Sequence, residues 1–146
     1  MGQVGPHRKD DVEGIADVLR VRLADPIRLA RLRADARRFL AGHGVDAVAI
    51  DNVVLSLTEL VTNGYEATTV NGEVTIELDC SKTEVISLAV TNEPARPTLA
   101  MALASVDMPG PDALRGRGLP LVAAFATRLS IDAGHDRTRV SADFAR

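Results

Sequence analysis

The sequence predicts an α+β sandwich with helices grouped beside a mixed, mainly antiparallel sheet. Three observations carry that expectation. Two amphipathic helical stretches, about 25–42 and 46–68, follow each other with no strand between them. Residues 73–91 and 128–145 each read as two alternating segments joined by a short polar link, the pattern of a β-hairpin. One further helix lies between the hairpins. Successive helices beside hairpins, without a strict βαβ alternation, point to α+β architecture.

The elements follow in order. Residues 1 to about 13 read as a flexible N-terminal tail, which leaves one domain over 14–146. From Ile15 to Leu23, Leu19, Val21 and Leu23 share a face with Ile15 while Arg20 and Arg22 point away, so a half-buried strand is expected. Asp25-Pro26 has the chemistry of a helix start, with Asp as N-cap and Pro at the first helical position. Leu29, Leu32, Ala36, Phe39 and Leu40 then fall on one helical face, opposite Arg28, Arg31, Asp35 and Arg38, and Gly42 and Gly44 end the run. That arginine face reads as solvated; its alternative use is a surface for an acidic partner. Asp46 caps a second helix whose apolar stripe is Ile50, Val54, Leu57 and Val61. Ser56, Glu59, Asn63 and Glu66 form a polar stripe on the same helix.

Asn71-Gly72 is a turn signal. After it, Val74, Ile76 and Leu78 alternate with Glu and Thr, and Ile86, Leu88 and Val90 mark the returning strand. From Asn92 to Arg115 the periodicity weakens among Pro94, Pro97, Pro109, Gly110 and Pro111, which reads as a long loop of the kind used for lids. A helix is expected from Leu119 to Thr127. Arg128–Ala133 and Thr138–Ala145 close the chain as a hairpin around Gly134-His135-Asp136.

Composition narrows the function classes. The net charge of -3 argues against broad electrostatic binding to nucleic acid. One cysteine, Cys80, excludes an internal disulfide framework, and Cys80 with three histidines is a poor supply for a structural zinc site. No apolar run reaches the roughly 18 residues of a transmembrane helix, and the start lacks a signal-peptide apolar region, so a cytoplasmic location off the membrane is expected.

Three segments carry chemistry. Glu59 and Asn63 are four residues apart, so both project from one side of the helix. A carboxylate and an amide oxygen there can hold a hydrated Mg²⁺ and orient a hydroxyl or water; read alone, the pair is a solvated polar face. Asn92, in Val90-Thr91-Asn92-Glu93-Pro94, emerges at a strand end, where a polar side chain can bond a heterocycle or begin a turn. Arg115-Gly116-Arg117-Gly118-Leu119 precedes a helix N-terminus. Glycines there admit close approach of a phosphate to free N–H groups, and Arg115 or Arg117 can add charge; alone, the segment is also an ordinary turn into a helix. No Walker A pattern occurs.

In this order the three segments resemble the N-box, G1 box and G2 box of the GHKL superfamily, the Bergerat fold shared by DNA gyrase and histidine kinases. The likeness spans roughly residues 15–145. Within it, Glu59-Leu60-Val61-Thr62-Asn63 and Gly116-Arg117-Gly118-Leu119-Pro120-Leu121-Val122 are similar to stand-alone bacterial anti-sigma factor serine kinases. The resemblance implies a two-layer sandwich with helices on one face of the sheet and an ATP lid over about 93–115. It implies ATP and Mg²⁺ as ligands, with Asn63 on the metal and Glu59 as catalytic base. Asn92 would sit at the adenine, where the family carries Asp, and Arg115, Gly116, Arg117, Gly118 and Leu119 would close on the phosphates. The implied partners are a sigma factor and a STAS-type anti-anti-sigma protein phosphorylated on Ser or Thr, and the implied state is a homodimer. The alternative is a degenerate domain of the same fold that only sequesters a protein partner.

Overall fold

A computed structural model describes residues 11–15, 17–24, 28–95 and 118–146, and of 11–15, 67–71, 94–95 and 118 the backbone course alone. The strands are β1 (Asp11–Ile15), β2 (Val18–Leu23), β3 (Thr68–Asp79), β4 (Val85–Ala95), β5 (Arg128–Ala133) and β6 (Thr138–Ala145). The helices are α1 (Leu29–Gly42), α2 (Ala47–Ala67) and α3 (Gly118–Phe125). The strands form one six-stranded sheet in the order β1-β2-β3-β4-β6-β5.

Every neighbouring pair is antiparallel, so the sheet is not mixed. The cause lies in the connections. A single crossover helix returns a chain to the end where it started and makes the next strand parallel. Here two consecutive helices, α1 and α2, link β2 to its neighbour β3, and the chain arrives from the opposite end.

One face of the sheet is apolar and the other polar. Leu19, Val21, Leu23, Val74, Ile76, Leu78, Ile86, Leu88, Val90, Val140, Ala142 and Phe144 are buried. Leu32, Ala36 and Leu40 of α1 join them, as do Val53, Val54, Leu57, Leu60 and Val61 of α2. The core is thus the single layer between sheet and helices. On the opposite face, Arg20 donates to Glu77 through Nε at 2.8 Å and also through Nη2. Arg139 reaches Glu77 at 3.2 Å and Thr91 Oγ1 at 3.3 Å. Burial works against the Glu77 carboxylate, but the hydrogen bonds and charges of Arg20 and Arg139 together outweigh it and hold its pKa below the ordinary value. Burial pushes the Cys80 thiol up, so it is an inert core thiol.

The helix ends show how local chemistry sets the frame. Asp46 caps α2 as expected: its Oδ1 accepts from Ala49 N–H at 2.9 Å. At the end of α1, Gly44 adopts φ +78°. Gly44 N–H donates to Ala41 C=O and Val45 N–H to Leu40 C=O, the double bond of a Schellman motif, with Val45 buried beneath it. The arginines of α1 are partly engaged locally, Arg38 with Asp35 at 2.7 Å and Arg37 with Asp51 at 2.9 Å.

Several expectations are corrected. The strand expected over 15–23 is two strands, and residues 11–13, assigned to the tail, belong to β1, which pairs with β2. The N-cap of α1 is Arg28, with no side-chain cap bond, instead of Asp25; residues 25–27 lie outside the described residues. Asn71-Gly72 is not a turn: both residues run within β3, where the register to β4 shifts between Thr68 and Glu73. β4 continues through Glu93-Pro94-Ala95, so these three are strand and not lid. Pro94 falls in the irregular part of the ladder, where its missing N–H is tolerated. The rest of the expected lid, 96–115, lies outside the described residues. No described helix is long and apolar enough to cross a membrane.

Candidate functional site

The site is built where α2 finishes over the middle of the sheet. The apolar stripe of α2 is wholly buried at Val54, Leu57 and Val61, which fixes the helix's rotation. Glu59 and Asn63 therefore emerge at the margin of the helix–sheet contact, both half-buried. Gly64, one residue on, faces the sheet. A Cβ placed there would meet Val74 Cγ2 at 3.4 Å and Asn92 Cβ at 3.8 Å. This is ordinary contact distance, so helix and strand pack closely here, and the glycine costs roughly 1 kcal/mol of helix propensity relative to Ala.

Asn92 lies beneath. It is paired with Val74 on β3 and with Thr138 on β6, and it is 3% exposed. Its Nδ2 is buried and donates to nothing in the protein. Thr138, across from it, is 1% exposed. An unpartnered buried amide is rare in folded proteins, because its desolvation is uncompensated. Asn92 is a strand residue pointing into the layer between helix and sheet, and not a turn former.

The third segment is described only in part. Arg115, Gly116 and Arg117 lie outside the described residues. α3 begins at Gly118. Leu119 is 5% exposed within the core, so its side chain anchors the first turn of α3 with Val122. Near the other end of α3, Phe125 lines a cavity with Val48, Ala49 and Asn52 from the start of α2. α3 thus ends near the start of α2.

Of the expected site residues, the structure places Asn63 beside Gly64, which packs on Asn92, with Glu59 one turn back along α2. Thr138 had not been singled out in the sequence. It reads there as the first residue of an alternating strand, and only its pairing with Asn92 distinguishes it.

The residues present fit a nucleotide. Asn92 offers unmet hydrogen-bonding capacity to a heterocycle. Glu59 and Asn63 supply oxygen donors on one side of a helix. Among the described residues no cluster of three or more His, Cys, Asp or Glu stands ready for a metal ion. A Mg²⁺ beside Asn63 would take its other ligands from phosphate and water, as Mg²⁺ ordinarily does.

Comparison with known proteins agrees with this geometry. A search among curated proteins finds no match to the chain. A family model described as the histidine kinase-like ATPase domain matches residues 23–144, which takes in β3 to β6, all three helices and every residue of the site. A polar pair on a helix that packs at Gly64 on a buried strand asparagine of a one-sided antiparallel sheet accords with ATP binding, and the chain belongs to the family of histidine kinase-like ATPase domains.

Proposed function

We propose that this protein is an ATP-binding regulator of the anti-sigma type, which binds Mg-ATP and phosphorylates a Ser or Thr of a STAS-type anti-anti-sigma protein. One observation supports it above others: Glu59 and Asn63 are held half-buried on α2, on the approach to a strand asparagine whose amide donor has no partner. Mg-ATP supplies the transferable phosphoryl group. Asn63 holds the cation through its amide oxygen. Glu59 orients the acceptor hydroxyl and takes its proton. Arg115 or Arg117, with Gly116 and Gly118, neutralises and wraps the phosphates. Phosphoryl transfer asks mainly for such positioning and charge neutralisation. The reading extends to a cytoplasmic homodimer that also holds a sigma factor.

The test is calorimetric titration of ATP and ADP with Mg²⁺, followed by transfer to a serine-bearing STAS partner. Micromolar binding that Asn63→Ala abolishes is expected. Glu59→Gln is expected to keep ATP binding and lose transfer. ATP binding without transfer by the unaltered protein would remove the kinase step. No binding at millimolar ATP would leave only the alternative, a fold of this family that sequesters its partner without nucleotide.

A further inference from the structure

Among the described residues of the site, Asn92 is the one whose chemistry is both buried and unspent. Its Nδ2 carries two hydrogens and meets no acceptor, in a side chain 3% exposed. The α2 backbone passes over it at Gly64, where a Cβ would already stand 3.8 Å from the Asn92 Cβ. Thr138 faces it from β6. Whatever completes this environment must bring a hydrogen-bond acceptor to the amide.

The amide group has a specific consequence for a purine. In either orientation it offers one acceptor and a pair of donor hydrogens. Adenine presents a donor amino group at position 6 beside an acceptor ring nitrogen at position 1. A 6-oxopurine presents the reverse, an acceptor oxygen at position 6 beside a donor N–H. An amide can pair with either edge by exchanging its two ends. A carboxylate in the same place has only acceptors and would repel the 6-oxo group.

We infer that the base subsite of this chain admits 6-oxopurine nucleoside triphosphates alongside ATP, with Asn92 as the residue that sets this tolerance. The inference rests on the reading of the site as a purine nucleotide site. It concerns which base enters, and it stands or falls separately from the kinase step.

The experiment is titration of the whole protein with Mg-ATP and with Mg-ITP, which differs from ATP only at position 6 and its neighbouring N–H. The expected result is ITP affinity within about tenfold of ATP, the scale of one hydrogen-bond mismatch. Asn92→Asp is expected to retain ATP and to weaken ITP by a further tenfold or more. Should Asn92→Asp fail to fold, Asn92→Ala removes donor and acceptor together and is expected to weaken both nucleotides alike. ITP binding more than a hundredfold weaker than ATP in the unaltered protein would overturn the inference and leave the ATP-site reading intact. So would an unchanged ATP-to-ITP ratio in Asn92→Asp, or unchanged affinities in Asn92→Ala. Failure of both nucleotides to bind would overturn both readings together.

Discussion

Gly64 lies directly over Asn92: a Cβ on the glycine would sit 3.8 Å from the Cβ of the asparagine. The helix that carries Glu59 and Asn63 is thereby held at a fixed height above the strand that carries Asn92. The spacing between the two halves of the site is a packing distance and not a matter of loop conformation.

Substitution at Gly64 should therefore divide by size. Gly64→Ala places its methyl at ordinary contact with Val74 and gains helix propensity, so stability should rise by about 0.5–1 kcal/mol in urea unfolding, with ATP affinity retained. Gly64→Leu must displace Val74 or Asn92. It should cost about 1–3 kcal/mol and weaken ATP binding at least as much as it weakens the fold. Equal ATP affinity in the Leu variant would show that the glycine does not set the site's height.

The Arg20–Glu77–Arg139 cluster makes stability sensitive to acid. The Glu77 pKa is lowered in the folded state, so its contribution is complete above the unfolded carboxylate value, about 4.3, and is lost as pH falls through the folded value. The group lies on the open sheet face, so the contribution is about 0.5–1 kcal/mol. Urea midpoints measured from pH 7 down to pH 3 should fall less steeply in Glu77→Gln than in the unaltered protein. Parallel curves would assign acid sensitivity elsewhere.

Arg146 ties three carbonyls. Its guanidinium donates to Cys80 C=O at 3.0 Å, Lys82 C=O at 2.7 Å and His43 C=O at 2.7 Å. It thus joins the end of α1 to the β3–β4 connection, and Arg146→Ala should lower stability by about 1–3 kcal/mol. Arg146→Lys, which cannot fork to three acceptors, should recover only part of it. Nucleotide affinity should be unchanged in both, since these contacts lie away from Glu59, Asn63 and Asn92. A shift in ATP affinity would show that the clasp is coupled to the site.

Much of the architecture was legible because local signals agreed with tertiary ones. The β5–β6 hairpin has the expected bounds, since alternation in Thr138–Ala145 coincides with its alternate burial. Asp46 and Gly44 act at the helix ends as their residue types suggest. β1 was not legible, because Asp11-Val12-Glu13-Gly14-Ile15 has little apolar character and becomes a strand through pairing with β2. Asn71-Gly72 carries turn chemistry, but it falls in the irregular stretch between Thr68 and Glu73 where the β3–β4 register shifts, inside β3 and not at its end. In the site, the Glu59–Asn63 spacing was readable from helix periodicity. The burial of Asn92 and the role of Thr138 were not, because both depend on β6 arriving beside β4 from more than forty residues downstream.

That arrival has a consequence for incomplete chains. β6 occupies the slot between β4 and β5, so a fragment that stops short of residue 138 keeps β4 but removes its outer neighbour. The exposed edge would be long and apolar on one side, with Ile86, Leu88 and Val90 no longer covered by Phe144, Ala142 and Val140. Unpaired edges of this kind recruit strands from other molecules. Truncated forms of this protein should accordingly accumulate as insoluble assemblies and not as smaller folded domains.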